Sequence, residues 1–166
     1  MKSIPLTQGK VTFVDDDVFE WASKMNWQAR YAPHGNNWYA VRMIRLGPKR
    51  HTTELLHRRI IGAYGKQKTD HRDGDGLNNI KSNLRVCTDA ENEKNKKKRS
   101  DNTSGFKGVY FKKDIQKFRA SICSGGKRYV LGHFSSLLEA ATTYNAAAKK
   151  YHGEFARLNV IAEIRK

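Results

Sequence analysis

Cysteine is scarce in this chain of 166 residues, which contains only Cys87 and Cys123. Two thiols so far apart exclude a disulfide framework and a zinc knuckle, so each is predicted to be a small buried or half-buried residue of a strand. Apolar runs are also short, and none approaches the roughly 20 residues that span a bilayer. The N-terminal MKSIPLTQGK lacks the apolar core of a signal peptide. These absences predict a reduced, cytoplasmic protein without a membrane partner.

Acidic residues are few compared with basic ones: 16 Asp and Glu stand against 32 Lys and Arg, which gives a formal net charge of +16. Such a surplus favours a nucleic acid partner, because each phosphate neutralised by a cation releases condensed counterions. A merely solvated surface and a membrane-surface protein are the alternatives. The length allows one ordinary domain or two small ones, and a hydrophobic content of 38% predicts a modest core divided between modules.

One stretch, residues 69–98, carries the polar side chains with the most chemical character. Asp70 and His71 lie at the end of a predicted strand, and the paired glycines that follow supply the positive φ of a tight loop. A second short strand is predicted to run back towards Thr88, which forms a capping box with Glu91 and starts a helix. This order would bring four polar side chains to one point: Asp70, His71, Asn83 and Asn92.

These residues resemble the HNH nuclease motif with its ββα-metal core. The longer segment LLHRRIIGAYGKQKTDHRDGDGLNNIKSNLRVCTDAENEKNK resembles the HNH homing endonucleases of phages and mobile introns, which would place the protein in the cytoplasm of a bacterial host. The resemblance implies that His71 is the general base and that Asp70 and Asn92 hold one Mg²⁺ or Mn²⁺ ion per active site. It also implies that Asn83 pins the loop and so orients His71.

Other polar residues of this region have less distinctive roles. Asn95, one turn after Asn92, is an alternative metal ligand, and the aspartates of the DGDG loop form a turn more readily than an ion site. By the same resemblance His57, in a helix predicted over residues 51–64, supports the hairpin structurally. Basic residues are predicted to follow the DNA backbone around this region: Arg72, Lys96, Lys97 and Lys98.

A different pattern begins at Gly105. Three strand-like segments, FKGVYFKK, KFRASICS and KRYVLGHF, precede an Ala-rich helix that ends at Gly153, and three antiparallel strands on one helix form the simplest two-layer arrangement. Alternation along the second strand places Phe118, Ala120 and Ile122 against the helix. The opposite face then carries Arg119, Ser121 and Cys123.

Residues 104–159 resemble an AP2-type DNA-binding domain, a family in which the exposed face of the sheet lies in the major groove. The arginines and tryptophans of the plant members are largely replaced here, so the docking mode carries over and the target sequence does not. An alternative is that the lysines only keep a small sheet soluble. The resemblance implies that this face contacts DNA through Lys107, Tyr110, Lys112, Arg119, Ser121 and Arg128.

The predicted fold class is α+β, with an N-terminal hairpin and helix region, a central ββα-metal nuclease core and a C-terminal three-stranded antiparallel sheet packed on one helix. The N-terminal hairpin pairs residues 27–31 with residues 38–42, and Arg30, Arg42 and Arg45 are candidate phosphate contacts. The predicted organisation comprises residues 1–50 as a β-rich region, 51–99 as the nuclease core, 100–103 as a linker, 104–160 as the AP2-like domain and 161–166 as a basic tail.

These features predict a metal-dependent endonuclease that hydrolyses phosphodiester bonds in double-stranded DNA. It would nick or cut both strands, as a monomer or homodimer, without a small-molecule cofactor. The competing prediction is a non-catalytic AP2-like transcriptional regulator with a relic HNH core. The intact set of Asp70, His71, Asn83 and Asn92 favours the enzyme.

Overall fold

The computed structural model describes residues 1–161, and the chain divides into two compact units, Met1–Asn92 and Glu93–Lys166. Four small antiparallel sheets and four α-helices confirm the predicted α+β class for the part of the chain described. Residues 162–166 of the predicted basic tail lie outside the described residues. No helix within residues 1–161 is long and apolar enough to cross a bilayer.

The first unit opens with a two-stranded sheet. Strands β1 (Lys2–Pro5) and β2 (Val11–Val14) pair antiparallel, and helix α1 (Asp16–Ala22) follows with two aspartates in its first turn. Helix α1 confirms the helix predicted for the N-terminal region. Acidic residues stabilise this end of a helix because its unpaired N–H groups carry positive charge.

A three-stranded sheet comes next, with the order β3-β4-β5. It consists of β3 (Gln28–Ala32), the long β4 (Asn37–Gly47) and β5 (Arg50–Leu55). Strands β3 and β4 confirm the predicted hairpin, and the core beneath both sheets is formed by buried apolar side chains: Ile4, Leu6, Val14, Val18, Ala22, Trp27, Ala29, Ala40 and Leu56.

The helix predicted over residues 51–64 is wrong for its first half. Residues Arg50–Leu55 form β5, because β4 extends beyond β3 and offers them a strand with which to pair. Only Leu56–Ile60 form a helix, α2. The β-branched Thr52 and Thr53 suit this pairing, which a helical interpretation of TTELLHRRII overlooks.

The predicted strand, loop, strand and helix are confirmed in the second half of this unit. Strands β6 (Lys68–His71) and β7 (Leu84–Cys87) pair antiparallel, and helix α3 (Asp89–Asn95) follows. Its capping box is present: Glu91 Oε2 accepts from Thr88 N–H at 2.8 Å, and Thr88 Oγ1 accepts from Glu91 N–H at 3.2 Å.

The second unit is a sheet packed on a helix, as predicted. Strands β8 (Val109–Lys112), β9 (Lys117–Ser124) and β10 (Lys127–Phe134) pair antiparallel, and α4 (Leu137–His152) covers one face. Gly108 has a φ of +75°, and a Cβ there would lie 2.1 Å from the Tyr144 ring. The helix and sheet bury mostly small side chains: Val109, Ala120, Ile122, Ala140, Ala141, Tyr144 and Ala148.

The two cysteines differ in their surroundings. Cys87 is buried in β7 as predicted, and burial raises the pKa of its thiol to about 11. The prediction that Cys123 is buried or half-buried is wrong, because this residue pairs with Arg128 on the exposed face of the sheet. Its neighbour Ile122 points to the helix and is buried.

Candidate active site

Strands β6 and β7 place two opposite charges side by side in the interior of the first unit. Asp70 and Arg85 are cross-strand partners, and the Arg85 guanidinium donates to Asp70 Oδ2 from Nη2 at 2.6 Å and from Nε at 3.0 Å. Only 8% of the Asp70 side chain and 6% of the Arg85 side chain are exposed. A carboxylate buried this deeply needs a charged partner, so Arg85 allows Asp70 to lie next to His71.

His71 is held in the interior by a buried amide. Its Nε2 lies 3.2 Å from Oδ1 of Asn79, a residue with no exposed surface. Asn79 donates through Nδ2 to Thr12 Oγ1 at 2.7 Å and to the Gly76 carbonyl at 3.4 Å. The Thr12 hydroxyl donates in turn to the Leu77 carbonyl at 2.8 Å. Strand β2, which carries Thr12, therefore supports His71 through one side chain.

The donors and acceptors of this chain of hydrogen bonds fix the tautomer of His71. The Thr12 hydroxyl has one hydrogen and gives it to Leu77, so it accepts from Asn79 Nδ2. Asn79 Oδ1 can only accept, and His71 Nε2 must therefore carry the ring hydrogen. The basic lone pair of the neutral His71 ring consequently lies on Nδ1.

Burial favours the neutral form of both histidines in this region. It lowers the pKa of His71 below 6.5, although the hydrogen bond with Asn79 and the nearby carboxylates, Asp73 first, act in the opposite direction. Burial also lowers the pKa of His57 to about 3, and the neighbouring His71 adds to this shift. A neutral imidazole is the form that can accept a proton.

The ring of His57 packs edge-on against the ring of His71. Their centroids are 4.9 Å apart and their planes meet at 73°, while the Tyr39 ring lies 5.6 Å from His57 and 6.0 Å from His71. His57 Nδ1 is buried and has no hydrogen-bond partner within residues 1–161. The structure thus places His57 in direct contact with the predicted base.

The side chain of Asn83 spans the loop that follows His71. Its Nδ2 donates to Asp73 Oδ1 at 2.9 Å and to the Asn78 carbonyl at 2.8 Å, and its Oδ1 accepts from Asp73 N–H at 3.1 Å. Burial alone would raise the pKa of Asp73, but hydrogen bonds from Asp75 N–H, Asn83 and Asn78 keep it below its usual value. The Asp73 carboxylate is therefore engaged in holding the loop together.

The same loop is docked on the beginning of β4. Asn37 Nδ2 donates to the Gly74 carbonyl at 3.1 Å, and Asn37 Oδ1 accepts from Gly76 N–H at 3.2 Å. A Cβ on Gly76 would lie 2.2 Å from the Trp38 carbonyl oxygen and 2.7 Å from the Tyr39 ring. Only glycine fits at this point, so strand β4 sets the position of the loop.

Asp70 and Asn92 offer the oxygen donors that the predicted metal requires. Asn92 lies in α3 with its side chain half-buried, and its side-chain amide has no hydrogen-bond partner within the described range. A carboxylate and an unpaired amide are hard donors that suit Mg²⁺ or Mn²⁺. Residues 1–161 contain no cluster of three His, Cys, Asp or Glu that could hold an ion, so water and substrate would complete such a site. The alternative ligand, Asn95, is buried in the second unit.

The predicted DNA contacts next to the motif are exposed. Arg72 follows His71 directly and lies on the surface of the first unit. Residues 96–98, the lysine block, are exposed in the second unit, where Lys96 forms an ion pair with Glu93. Their contact with DNA stays a prediction.

The outward face of the second unit's sheet is basic and aromatic. The Arg119 guanidinium lies 5.6 Å from the centroid of the Tyr110 ring, and Lys112 pairs with Asp114 at 3.1 Å. Arg128 is exposed at the start of β10, while Ser121 is half-buried in β9. These residues share one face, and their contact with DNA also stays a prediction.

Lys107 differs from the other predicted DNA contacts of the second unit, because its ammonium is engaged by backbone carbonyls. Its ammonium donates to the carbonyls of Lys94 and Lys96, both at 2.6 Å, at the C-terminal end of α3. Burial lowers its pKa to about 8, and the nearby Arg157 adds to the shift. A phosphate that bound Lys107, as predicted, would have to replace two protein acceptors.

Three residues at the centre of the site were not predicted: Thr12, Asn79 and Arg85. Asn79 and Arg85 lie within the segments LNN and NLR of the motif region. Their place in the motif could therefore have marked them as site residues. Thr12 is 67 residues away from Asn79, and no local pattern connects the two.

The strand pair, the loop and the helix define a ββα unit with a buried histidine at the end of its first strand. The chain is 32% identical over 164 residues to an uncharacterized HNH endonuclease of Acanthamoeba polyphaga mimivirus, across 94% of this chain and 79% of that protein. It is also 37% identical over 90 residues to protein 3.8 of Escherichia phage T7, across 53% of this chain and 72% of that protein. No family model matches the chain, and no solved structure matches it significantly.

The similarity to the mimivirus protein extends over nearly the whole chain, including both units. The residues of the ββα unit lie within it. The chain therefore belongs to the HNH endonuclease family.

Proposed function

We propose that this protein is a divalent-metal-dependent endonuclease that hydrolyses phosphodiester bonds in double-stranded DNA. The observation that carries the proposal is the buried, neutral His71, whose Nε2 is held by Asn79 and whose lone pair lies on Nδ1. An imidazole in this state can take a proton from a water molecule that attacks phosphorus. His71 is the general base of this reaction.

The neighbouring residues prepare the base and the substrate site. Asn83 keeps the loop in one conformation through its three hydrogen bonds, which fixes the backbone immediately after His71. Asp70 and Asn92 would hold one Mg²⁺ or Mn²⁺ ion through oxygen atoms, with Arg85 orienting the Asp70 carboxylate. Such an ion, when bound, neutralises charge on the phosphate and the leaving oxygen.

The second unit is proposed to hold the duplex as an AP2-like module. Its exposed sheet face combines Arg119, Tyr110, Lys112 and Arg128, and the net charge of +16 favours phosphate contact. The alternative function, a DNA-binding regulator without catalysis, predicts the same sheet face. It does not require the charge pair, the fixed tautomer or the unpaired Asn92 amide, and these favour the enzyme.

The test is incubation of supercoiled plasmid and of host-locus DNA with the full chain in Mg²⁺, Mn²⁺ or EDTA. Wild type is expected to nick or linearise DNA only with metal, and His71→Ala is expected to bind DNA equally well and leave it whole. An exposed residue outside the proposed site and sheet face, replaced in Lys24→Ala, serves as the control, and this variant should still cut. Wild-type protein that binds DNA but cuts no strand with either metal would reject the nuclease in favour of the regulator.

A further inference from the structure

The outer part of the β4–β5 hairpin extends away from the core of the first unit. Strand β3 pairs with β4 only as far as Val41, while β4 continues to Gly47 with β5 as its sole neighbour among the described strands. Val41 is 1% exposed, but Met43 is 61% and Leu46 58% exposed. Residues 43–53 therefore form a two-stranded projection, called here the hairpin arm.

The hairpin arm is basic throughout. It contains Arg45, Lys49 and Arg50 together with His51, and no Asp or Glu. Lys49 and Arg50 have no ion-pair partner among residues 1–161, and Arg45 Nε donates only to the Gly47 carbonyl, at 3.3 Å. The nearest carboxylate along the chain, Glu54, is already paired with Arg42 and Arg59. Three unneutralised cations on eleven residues are complementary to a polyanion.

The shape of the arm fits a groove of duplex DNA. The major groove, about 12 Å wide, admits a two-stranded ribbon. Cross-strand pairing puts Arg45 opposite His51 and Met43 opposite Thr53, so these four side chains lie on one face of the ribbon. That face combines the Arg45 cation for phosphate with the exposed Met43 side chain for base edges, a mixture that a merely solvated loop does not need.

Strand β4, whose outer part belongs to the arm, begins at the candidate active site, and this fixes the reach of the arm. Asn37, at the start of β4, holds the loop after His71, and the Tyr39 ring lies 6.0 Å from the His71 ring. From Tyr39 to Leu46 the strand advances seven residues, or roughly 23 Å at about 3.3 Å per residue. At about 3.4 Å per base pair this reach corresponds to about seven base pairs.

We propose that the hairpin arm binds a groove of duplex DNA on one side of the cleaved phosphate, up to about seven base pairs from it. This inference rests on the proposed nuclease function for the identity of the partner. The arm gives the first unit a DNA contact of its own, on the same strand that positions the catalytic loop. It therefore sets the distance between the point of cutting and the point of binding.

The experiment compares wild type with the triple variant Arg45→Gln/Lys49→Gln/Arg50→Gln, each as the full chain. Affinity for a duplex carrying the mapped cleavage site is measured without divalent metal, at several salt concentrations. We expect about tenfold or greater loss of affinity and a shallower salt dependence, by about 0.9 in slope for each phosphate that the variant no longer neutralises. The triple variant Lys2→Gln/Lys24→Gln/Lys66→Gln, with the same change of charge on the same unit, is expected to lose much less.

Substrate trimming then locates the binding site of the arm. Shortening the duplex on one side of the cleavage site to fewer than about seven base pairs should weaken binding by wild type and not by the arm variant. The proposal that the arm binds DNA would be overturned if the two triple variants lost affinity equally. It would also be overturned if the arm variant had the same affinity and the same response to trimming as wild type. If wild type binds DNA and never cuts it, the proposed function fails, while the affinity of the arm variant for the duplex that wild type protects in footprinting still decides this inference.

Discussion

The two units bury different kinds of side chain. The interior of the first contains an ion pair, two histidines, a threonine and an asparagine, whereas that of the second is built largely from alanine, valine, isoleucine and one tyrosine. Burying polar groups costs free energy unless each is hydrogen-bonded or paired. A chain with a small core therefore concentrates such groups where they are needed, and here they surround His71.

The two units also differ in where their charged side chains lie. The second unit places its cations on the exposed face of a sheet and keeps its interior apolar, apart from Asn95 and His152. The first unit buries the Asp70–Arg85 ion pair and, next to it, the hydrogen bonds through which Asn79 and Thr12 hold His71. On the proposed function, this contrast assigns the chemistry to the first unit and DNA holding mainly to the second, and substitutions in either unit can test that division.

The largest expected effect comes from removing the charge that balances Asp70. Arg85→Met should destabilise the first unit by about 3–5 kcal/mol, because the buried Asp70 carboxylate loses the guanidinium that balances its charge. All three tryptophans, Trp21, Trp27 and Trp38, lie in this unit, so denaturant unfolding followed by tryptophan fluorescence reports on it alone.

Two further variants make that measurement decisive. Lys81→Met removes an exposed ion pair with Asp17 and should leave the unfolding midpoint unchanged. Asp70→Asn combined with Arg85→Met should recover much of the lost stability and remain inactive in cleavage. An Arg85→Met protein as stable as wild type would show that the buried pair does not support this unit.

Acid should destabilise the first unit next most strongly. His57 has a pKa of about 3 in the folded protein and about 6.5 when unfolded, so between these values only the unfolded chain takes up the proton. Stability is therefore complete above pH 6.5 and falls below it by about 1.4 kcal/mol per pH unit, or roughly 3 kcal/mol by pH 4.

Tryptophan-detected unfolding between pH 4 and 7 measures this loss. His57→Leu removes the buried imidazole and should flatten the pH dependence of the free energy of unfolding. His133→Leu, which removes an exposed imidazole of the second unit, should leave that pH dependence unchanged. Identical slopes for wild type and His57→Leu would mean that other groups govern the acid response.

A Cβ would overlap neighbouring atoms at Gly76 in the first unit and at Gly108 in the second, and the two substitutions should have different consequences. Gly76→Ala should cost about 1–3 kcal/mol and reduce cleavage sharply, because the loop after His71 must move away from Trp38. Gly108→Ala should unfold the second unit and weaken DNA binding, since its Cβ would overlap the Tyr144 ring. Gly35→Ala, with no atom within 4 Å of its Cβ, is the control.

The smallest predicted effect concerns Lys107, a cation of the second unit whose ammonium donates to two backbone carbonyls. Lys107→Met should destabilise this unit by roughly 1–2 kcal/mol, because two carbonyls at the end of α3 lose their donor. Lys112→Met, on the exposed sheet face, should leave stability unchanged and weaken DNA binding instead. Circular dichroism follows the unfolding of this unit, which contains no tryptophan. Equal stability of the two variants would return Lys107 to the group of predicted DNA contacts.

Local patterns in the sequence predicted most elements of the fold, since the alternation of β8–β10 and the caps of α3 and α4 depend on neighbouring residues. The prediction failed at β5, where pairing with the extended β4 decides the structure and the β-branched Thr52 and Thr53 are the local signal of a strand. The motif region pointed to Asp70, His71, Asn83 and Asn92. It could not reveal that Thr12, far away in the chain, fixes the tautomer of His71, because that hydrogen bond forms only when β2 packs beside the loop.

One measurement tests the central claim that the buried network around His71 in the first unit cleaves DNA and that exposed cations bind it. Single-turnover cleavage at saturating protein and affinity for uncleaved duplex are determined for Asn79→Ala and for Arg128→Gln. Tryptophan fluorescence confirms that the first unit of Asn79→Ala is folded, and circular dichroism confirms that Arg128→Gln is folded. We predict that Asn79→Ala lowers the cleavage rate at least tenfold, roughly the effect of removing one group that positions a catalytic residue, with unchanged affinity. Arg128→Gln should lower affinity and keep the saturated rate. A saturated rate unaffected by Asn79→Ala, or lowered equally by Arg128→Gln, would contradict the account.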